Sequence, residues 1–470
     1  MVGSDRDSGT TPAEERTQEG AAAKGRGALK PIASKRVLPP VEHPDRYALS
    51  NELHARPFEE LSAPIDVALY AMVTGEGTVA DDRRHIALLC DRFGINPPAD
   101  SANFFAADFG AFRLRWERHS EFTSYTVIRP REKQEPFESP AGEKLPGDWF
   151  EELPGQLLVA TQLVLLSRDD PEPDTETLER LFVPGSLVTS HVSGGSAQVW
   201  ADLRIHPDGH NRILVKDIHM QSRKAGRVVQ RLLEIATYRN IALMALPLAR
   251  KTSPKIAEID RALADLTSKM AETNESLEQE DGDLLHQLTA QSAEIERLAS
   301  VTAYRFSAAK AYYALIETRL SELREEQVDG YQTIGEFLDR RLGPAMRTCA
   351  SVSDRLGDLS RRATRAANLL RTRVDFALER QNQNLLHSMD RRAKLQLRLQ
   401  QTVEGLSVAA ISYYLVGLIN YGTKALAKWG LPVDATLVTG ISIPIIVAAL
   451  WMGLKRARKV IESKDAADDS

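Results

Sequence analysis

The sequence predicts an α+β chain with three parts: a cytoplasmic α/β domain, a long helical coiled-coil stalk and a C-terminal two-helix transmembrane hairpin. Three observations predict it. Residues 405–423 and 435–454 are runs of 19 and 20 residues without an acidic or basic side chain. Residues 251–404 are poor in proline and carry apolar residues at coiled-coil spacing. Residues 41–250 mix strand-like alternation with amphipathic helical patterns.

Composition sets the outer limits. At 470 residues, 60 basic and 65 acidic, the chain is long enough for more than one unit and has no global basic footprint for nucleic acid. Its two cysteines, Cys90 and Cys349, are far apart and suit a reducing compartment.

Residues 1–40 are rich in Gly, Ala, Ser, Thr, Pro and charge, and read as a disordered tail. They lack the apolar core of a signal peptide, so the hairpin is expected to direct insertion.

The α/β domain follows, 41–250. Residues 81–93 are helical in pattern, with acids at the start and Gly94 as a stop. Phe112, Leu114 and Trp116 alternate with polar residues, as do the residues from Phe122 to Ile128, which predicts two paired strands. Residues 156–166 form an apolar run of strand length. Residues 197–205 alternate, turn at 206–211 around Asp208 and Gly209, and return as 212–218. Residues 222–246 are a long helix. The apolar stretch at its end is nine residues long and contains Pro247, too short to span a bilayer.

The stalk, 251–404, starts with Ile256, Ile259, Leu263, Leu266 and Met270 at steps of 3, 4, 3, 4. Val352, Leu356, Leu359, Ala363, Ala366 and Leu370 repeat the spacing. Breaks are expected at Gly282, at Asp329-Gly330 and at Gly343-Pro344, giving two or three helices folded back on one another. The last, from about residue 345, is expected to run straight into the first membrane helix, a stalk of ~90 Å if unbroken. Residues 255–330 hold 16 acidic and 8 basic residues, and 351–404 hold 6 acidic and 11 basic. The acidic run 278–283 makes a divalent cation a candidate partner as a field effect, since it lacks the spaced ligands of a calcium loop.

The hairpin comprises helix 405–423, an external link 424–434 and helix 435–454. A bilayer core of ~30 Å needs roughly 20 apolar residues, and both runs meet that length. The competing reading, two buried core helices, fits less well with runs that stay charge-free for their whole length. Arg391, Arg392, Lys394 and Arg398 precede the first run, and Lys455, Arg456, Arg458 and Lys459 follow the second. The positive-inside rule therefore puts both termini in the cytoplasm, with 455–470 a basic then acidic tail. Trp429, Trp451, Tyr413 and Tyr414 are amphipathic rings, the tryptophans at interface positions.

Along the first run, Gly405, Ala409, Ser412, Val416, Asn420 and Thr423 form a small or polar stripe. Such a stripe lines a wet pore or lets helices pack closely. Both uses put it at a helix seam and predict a homo-oligomer or a tight hairpin.

The densest polar motif of the soluble domain is 51–57, with His43 upstream. His43, Glu52 and His54 are candidates for a metal or acid/base role, and Arg56 opposes a cation. A hydrogen-bonded structural turn accounts for the same residues. Glu117, His119 and Glu121 share one strand face, read as solvated or as a weak cation patch. His206 and His210 lie in a polar turn. Residues 193–196 resemble a phosphate loop loosely but lack the Lys-Ser/Thr of a P-loop and precede a strand. The sequence therefore implies no cofactor, no metal site and no enzyme.

The layout of 41–460, with its most telling part at 345–460, resembles the CorA-type magnesium channels. Those are pentamers whose first membrane helix lines the pore and ends in a Tyr-Gly-Met-Asn signature. Here the matching place reads Asn420-Tyr421-Gly422-Thr423-Lys424. The Tyr-Gly pair is kept, but Lys424 would put a ring of positive charge at the pore mouth. The resemblance thus implies an oligomeric, ion-conducting or transport-related assembly of altered selectivity. Residues 43–61, 114–130, 198–205 and 226–250 also resemble a bacterial family of predicted membrane-anchored proteins without an assigned activity. Together these readings predict a protein of the bacterial inner membrane. The rival function is a non-conducting anchored scaffold or sensor whose cytoplasmic domain binds a partner.

Overall fold

The computed structural model describes residues 41–52, 57–74, 79–132, 134–272, 278–428 and 434–468. The expected tail, 1–40, lies outside them. Contacts divide the chain into Met1–Pro57 and Phe58–Ser470. In the first unit, Arg46 N donates to His43 O at 3.1 Å, and α1 (Arg46–Glu52) follows.

The second unit is built on one mixed sheet. In chain order its elements are β1 (Ile65–Val73), α2 (Val79–Phe93), β2 (Phe104–Asp108), β3 (Arg113–Arg118), β4 (Phe122–Pro130), α3 (Gly147–Glu151), β5 (Gln156–Leu166) and α4 (Thr175–Leu181). Then come β6 (Val188–Val192), β7 (Ala197–Ala201), β8 (Asn211–Asp217), α5 (Ser222–Leu243), α6 (Ala245–Glu272), α7 (Glu278–Leu323), β9 (Glu326–Gln327), α8 (Ile334–Lys428) and α9 (Ala435–Asp468). The strand order is β2-β3-β4-β1-β5-β8-β7-β6-β9. All pairs are antiparallel except β5 with β8.

Both faces of the sheet are covered, so its central strands are apolar throughout. In β1, Val67, Leu69 and Ala71 point into a core shared with α5, α6, α7 and α8, through Val228, Leu232, Ile256, Ile316 and Leu338. Ala68, Tyr70 and Met72 point the other way, into a cluster with Ile86, Trp116, Tyr125 and Trp149. Period-two alternation thus serves two cores at once. Helix α5 approaches the chain before β1 so closely that Leu61 N donates to Ser222 O at 3.1 Å. A Cβ at Gly226 would lie 1.7 Å from Glu59 O, so glycine is required there.

The stalk differs from the sequence expectation at two places. Gly282 lies inside α7, because an exposed glycine costs about 1 kcal/mol, which a 46-residue packed helix absorbs. Pro344 lies inside α8, which therefore starts at Ile334. The ~3 kcal/mol interior-proline penalty is offset by the buried stripe Ile334, Leu338, Leu342, Met346 and Cys349. The break at Asp329-Gly330 exists, and the segment before it adds β9 to the sheet edge.

Among the described residues, three helical stretches are long and apolar enough to cross a membrane by length and composition: Ser222–Ala271, Ile334–Leu426 and Thr436–Gly453. The apolar window of the first is 61% buried within the fold, and those of the other two are 0% buried.

Candidate functional site

Helices α8 and α9 pack along each other over their apolar ends. Ser412 and Thr423 are buried in this contact, and Val416 and Asn420 are half-buried. From α9, Thr439, Ser442, Ile446 and Leu450 are half-buried in turn. Tyr413, Tyr414, Leu418, Tyr421, Ile441 and Trp451 face outward. Small side chains bring the two backbones together, and the hydroxyls of Thr423 and Ser442 are served within their own helices. Thr423 Oγ1 donates to Ile419 O, and Ser442 Oγ donates to Thr439 O, both at 2.8 Å. Ser412 Oγ is buried and has no hydrogen-bond partner among the described residues.

The expected stripe is therefore divided. Ser412, Val416, Asn420 and Thr423 turn toward the seam, while Gly405 and Ala409 are exposed. Tyr421, Gly422 and Lys424, at the expected pore mouth, are exposed. Trp429 and part of the link lie outside the described residues. At the other end of the hairpin, a cavity of about 300 Å³ is lined by Gln400, Val403, Glu404, Ser407, Ile411 and Leu450.

Of the soluble-domain motif, His43 is exposed, and its Nδ1 accepts from Asp45 N at 3.2 Å. Glu52 ends α1. His54 and Arg56 lie outside the described residues. The face of Glu117, His119 and Glu121 is divided among other partners. Arg115 donates to Glu117 and Arg305 to Glu121, each at 2.8 Å, and His119 stacks on Phe122. Guanidinium groups thus take the carboxylates that a cation would need. Among the described residues, no three His, Cys, Asp or Glu side chains are grouped to hold a metal ion.

The structure adds a polar seam that sequence reasoning passed over. On one sheet face the cluster of Trp116, Tyr125 and Trp149 is separated from that of Phe137, Phe182 and Leu214. Between them, Gln162 of β5 pairs in register with Arg212 of β8. Gln162 Nε2 and Arg212 Nη2 both donate to Asp208 Oδ2, at 3.3 and 3.1 Å. The ring of His210 lies edge-on to Tyr70. Burial pushes the Asp208 carboxyl up, but the His210 amide and Arg212 outweigh it and hold the group below the usual carboxylate range. Burial pushes the Tyr70 phenol up to about 12, and Glu143 adds to the effect.

The same loop is clasped from behind. Asp202, fully buried, accepts from Val183 N at 3.0 Å and from Arg204 N at 3.2 Å, and lies 2.8 Å from His206 Nε2. Arg239 of α5 donates to Leu203 O and Asn211 Oδ1, both at 3.0 Å. Burial lowers the Arg239 pKa to about 10, against the opposing pull of Asp202. The available signal was the density of Asp and His over 202–210. A turn explains each of these residues singly, and only the fold shows that they form one network.

The loop 193–196 has Ser193, Gly194 and Gly195 in left-handed conformations. Ser196 Oγ donates to Ser193 O at 3.1 Å, receives Lys224 Nζ and lies 3.1 Å from His219 Nε2. Its hydroxyl is fully engaged, and the arrangement ties the loop to the start of α5.

A family model described as "Protein of unknown function (DUF3422)" matches residues 41–461. No curated protein and no solved structure matches the chain.

Proposed function

The chain belongs to the DUF3422 family, and from that premise we propose a membrane-anchored scaffold or sensor, homo-oligomeric, whose sheet domain binds a partner on the cytoplasmic side. The observation that carries this reading is the burial pattern of the hairpin. Ser412 and Thr423 are buried against α9, whereas Leu418, Tyr421, Ile441 and Trp451 are exposed. That order suits a helix pair solvated by lipid and costs heavily in water. Helix α8 links the parts as one 95-residue element that packs under the sheet at one end and pairs with α9 at the other. Displacement of the sheet domain would pass along it without an intervening joint.

A second reading, a CorA-like ion-conducting assembly, draws on the order of sheet, helical bundle, long helix and hairpin. It also draws on the outward setting of Tyr421, Gly422 and Lys424. Under that reading the face turned away from α9 would line an axis, with Lys424 selecting against divalent cations.

Carbonate extraction followed by light scattering in detergent tests both readings. The proposal expects the chain in the membrane pellet and a mass of several copies. Recovery as a soluble monomer would overturn it. Proteoliposome flux then separates the readings: no flux above empty vesicles for the scaffold, and flux altered by Lys424→Asn for the channel.

A further inference from the structure

Helix α8 changes its apolar face partway along. Through Leu370 its buried stripe packs into the bundle, and the end of that contact is marked by Arg373 Nη1 donating to Met270 O at 2.7 Å. Continued at the same spacing, the stripe would fall on Ala377, Arg380, Asn384 and His387, which are mostly polar. A new stripe begins one residue later, rotated by about 100°. Leu378, Leu385, Arg392 and Leu399 recur every seventh residue, with Asn382, Met389, Gln396 and Val403 midway. Its apolar members are 51% to 70% exposed. Leu386 and Leu395 flank the stripe and widen it.

We propose that this stripe, Leu378 to Val403 of α8, is the surface on which copies of this chain associate, as a parallel coiled coil in register. The proposal rests on the homo-oligomeric reading above and names its interface.

Four observations select a second copy as the occupant. First, about 30 residues of helix without a packed face are marginal in water, so the stripe needs a cover. Second, among the described residues the chain's own helices reach only the end of the stripe, where Val403 borders the cavity lined by Leu450 of α9, and leave Leu378, Leu385, Met389 and Leu399 51% to 70% exposed. By about 100° per residue, Val403 and Leu399 lie roughly 180° and 140° around α8 from Ser412, which faces α9. Third, leucine fills three of the four d positions and the amides Asn382 and Gln396 lie on a, and a polar residue on a is a device by which identical parallel helices fix their register. Each layer then meets its own kind, and Asn382 finds a hydrogen-bonding partner in another Asn382. Fourth, the seam from Leu378 to Val403 is ~39 Å by ~10 Å and gives roughly 800 Å² in a pair, short of the ~1,000 Å² expected of a stable interface. The next d position is the exposed Leu406, at the start of the charge-free run, so the seam continues beyond Val403 and the shortfall narrows. Arg392 opposes association, because it brings like charges together in one layer.

The test uses the full chain with cysteines added singly. Cys90 and Cys349 are both buried, so the background is low. Met389→Cys lies on the stripe, and His387→Cys lies on the opposite side of the same turn. Mild oxidation in membranes should give a band at twice the chain mass for M389C and none for H387C. Equal cross-linking at both positions, or none at 389, would overturn the interface. Arg392→Leu should keep the chain associated at a several-fold lower concentration, and weakened association would also count against the seam. If the chain left the membrane fraction but M389C still cross-linked, the anchor reading would fail while the interface stood. If it stayed in the membrane without that cross-link, the interface alone would fail.

Discussion

The sheet domain and the α8–α9 hairpin solve opposite packing problems. In the sheet, Trp116, Tyr125 and Leu163 are buried, and the buried charge of Asp66 is held by Arg129 and Arg131. In the hairpin, Ser412 and Thr423 are inside, while Leu418, Ile441 and Tyr413 are outside. One chain therefore carries two burial codes. In the first, apolar area leaves water, at about 25 cal/mol per Å². In the second, close backbone approach between small residues replaces that driving force. Two solvents are what the proposed membrane anchor requires of this difference, and each prediction below either sharpens or breaks it.

The largest effect is expected inside the sheet domain. Trp149 stacks on His85 at 4.4 Å and donates Nε1–H to His85 O at 2.7 Å. Trp149→Ala should cost about 3–5 kcal/mol through the cavity it leaves. Leu418→Ala, on the outward face of the hairpin, should change stability in detergent by less than about 0.5 kcal/mol. Thermal unfolding in micelles checks both, and a similar loss for the two would erase the distinction.

An intermediate effect is expected at the seam. Ser412→Leu forces bulk between α8 and α9 and should cost about 1–3 kcal/mol. Tyr413→Leu, one residue along and exposed, should be neutral. If S412L were the neutral change, the inward setting of the small residues would be wrong.

The smallest effect is electrostatic and confined to the surface of the sheet domain. Arg92 Nη1 donates to Asp148 Oδ1 at 2.8 Å, and this bond, more than any other influence, lowers the Asp148 pKa to about 2. A carboxyl depressed in the fold stabilises above its unfolded pKa and loses that contribution as pH falls toward 2. Asp148→Asn should therefore flatten the acid limb of melting temperature against pH slightly. The variant and parent curves should converge near pH 2, and parallel curves down to pH 2 would contradict the assignment.

How much of this was legible in the sequence follows from the range of the interactions involved. The strands around Trp116 and Tyr125 were readable because alternation is local, and so was the helix ending at Phe93. The charge-free runs were readable because composition alone defines them. Two expected breaks were misplaced. Gly282 and Pro344 carry local penalties, and long-range packing along the α6–α7–α8 bundle outweighs them. The seam of Gln162, Asp208, His210 and Arg212 was not readable. Its members come from two strands, β5 and β8, and from the loop before β8, and no local pattern announces the parallel pairing that joins them. In the hairpin the small-residue stripe was visible in the spacing, but its direction toward α9 was not.

The central claim is that Leu418 and Tyr414 meet lipid while Ser412 and Thr423 meet α9. Spin labels placed singly along 405–423 in proteoliposomes, probed with oxygen and with a water-soluble nickel chelate, test it most directly. The account predicts high oxygen accessibility at 414 and 418, low accessibility to both probes at 412 and 423, and a period near 3.6 between them. Strong nickel accessibility at 418, or a pattern without that period, would contradict it.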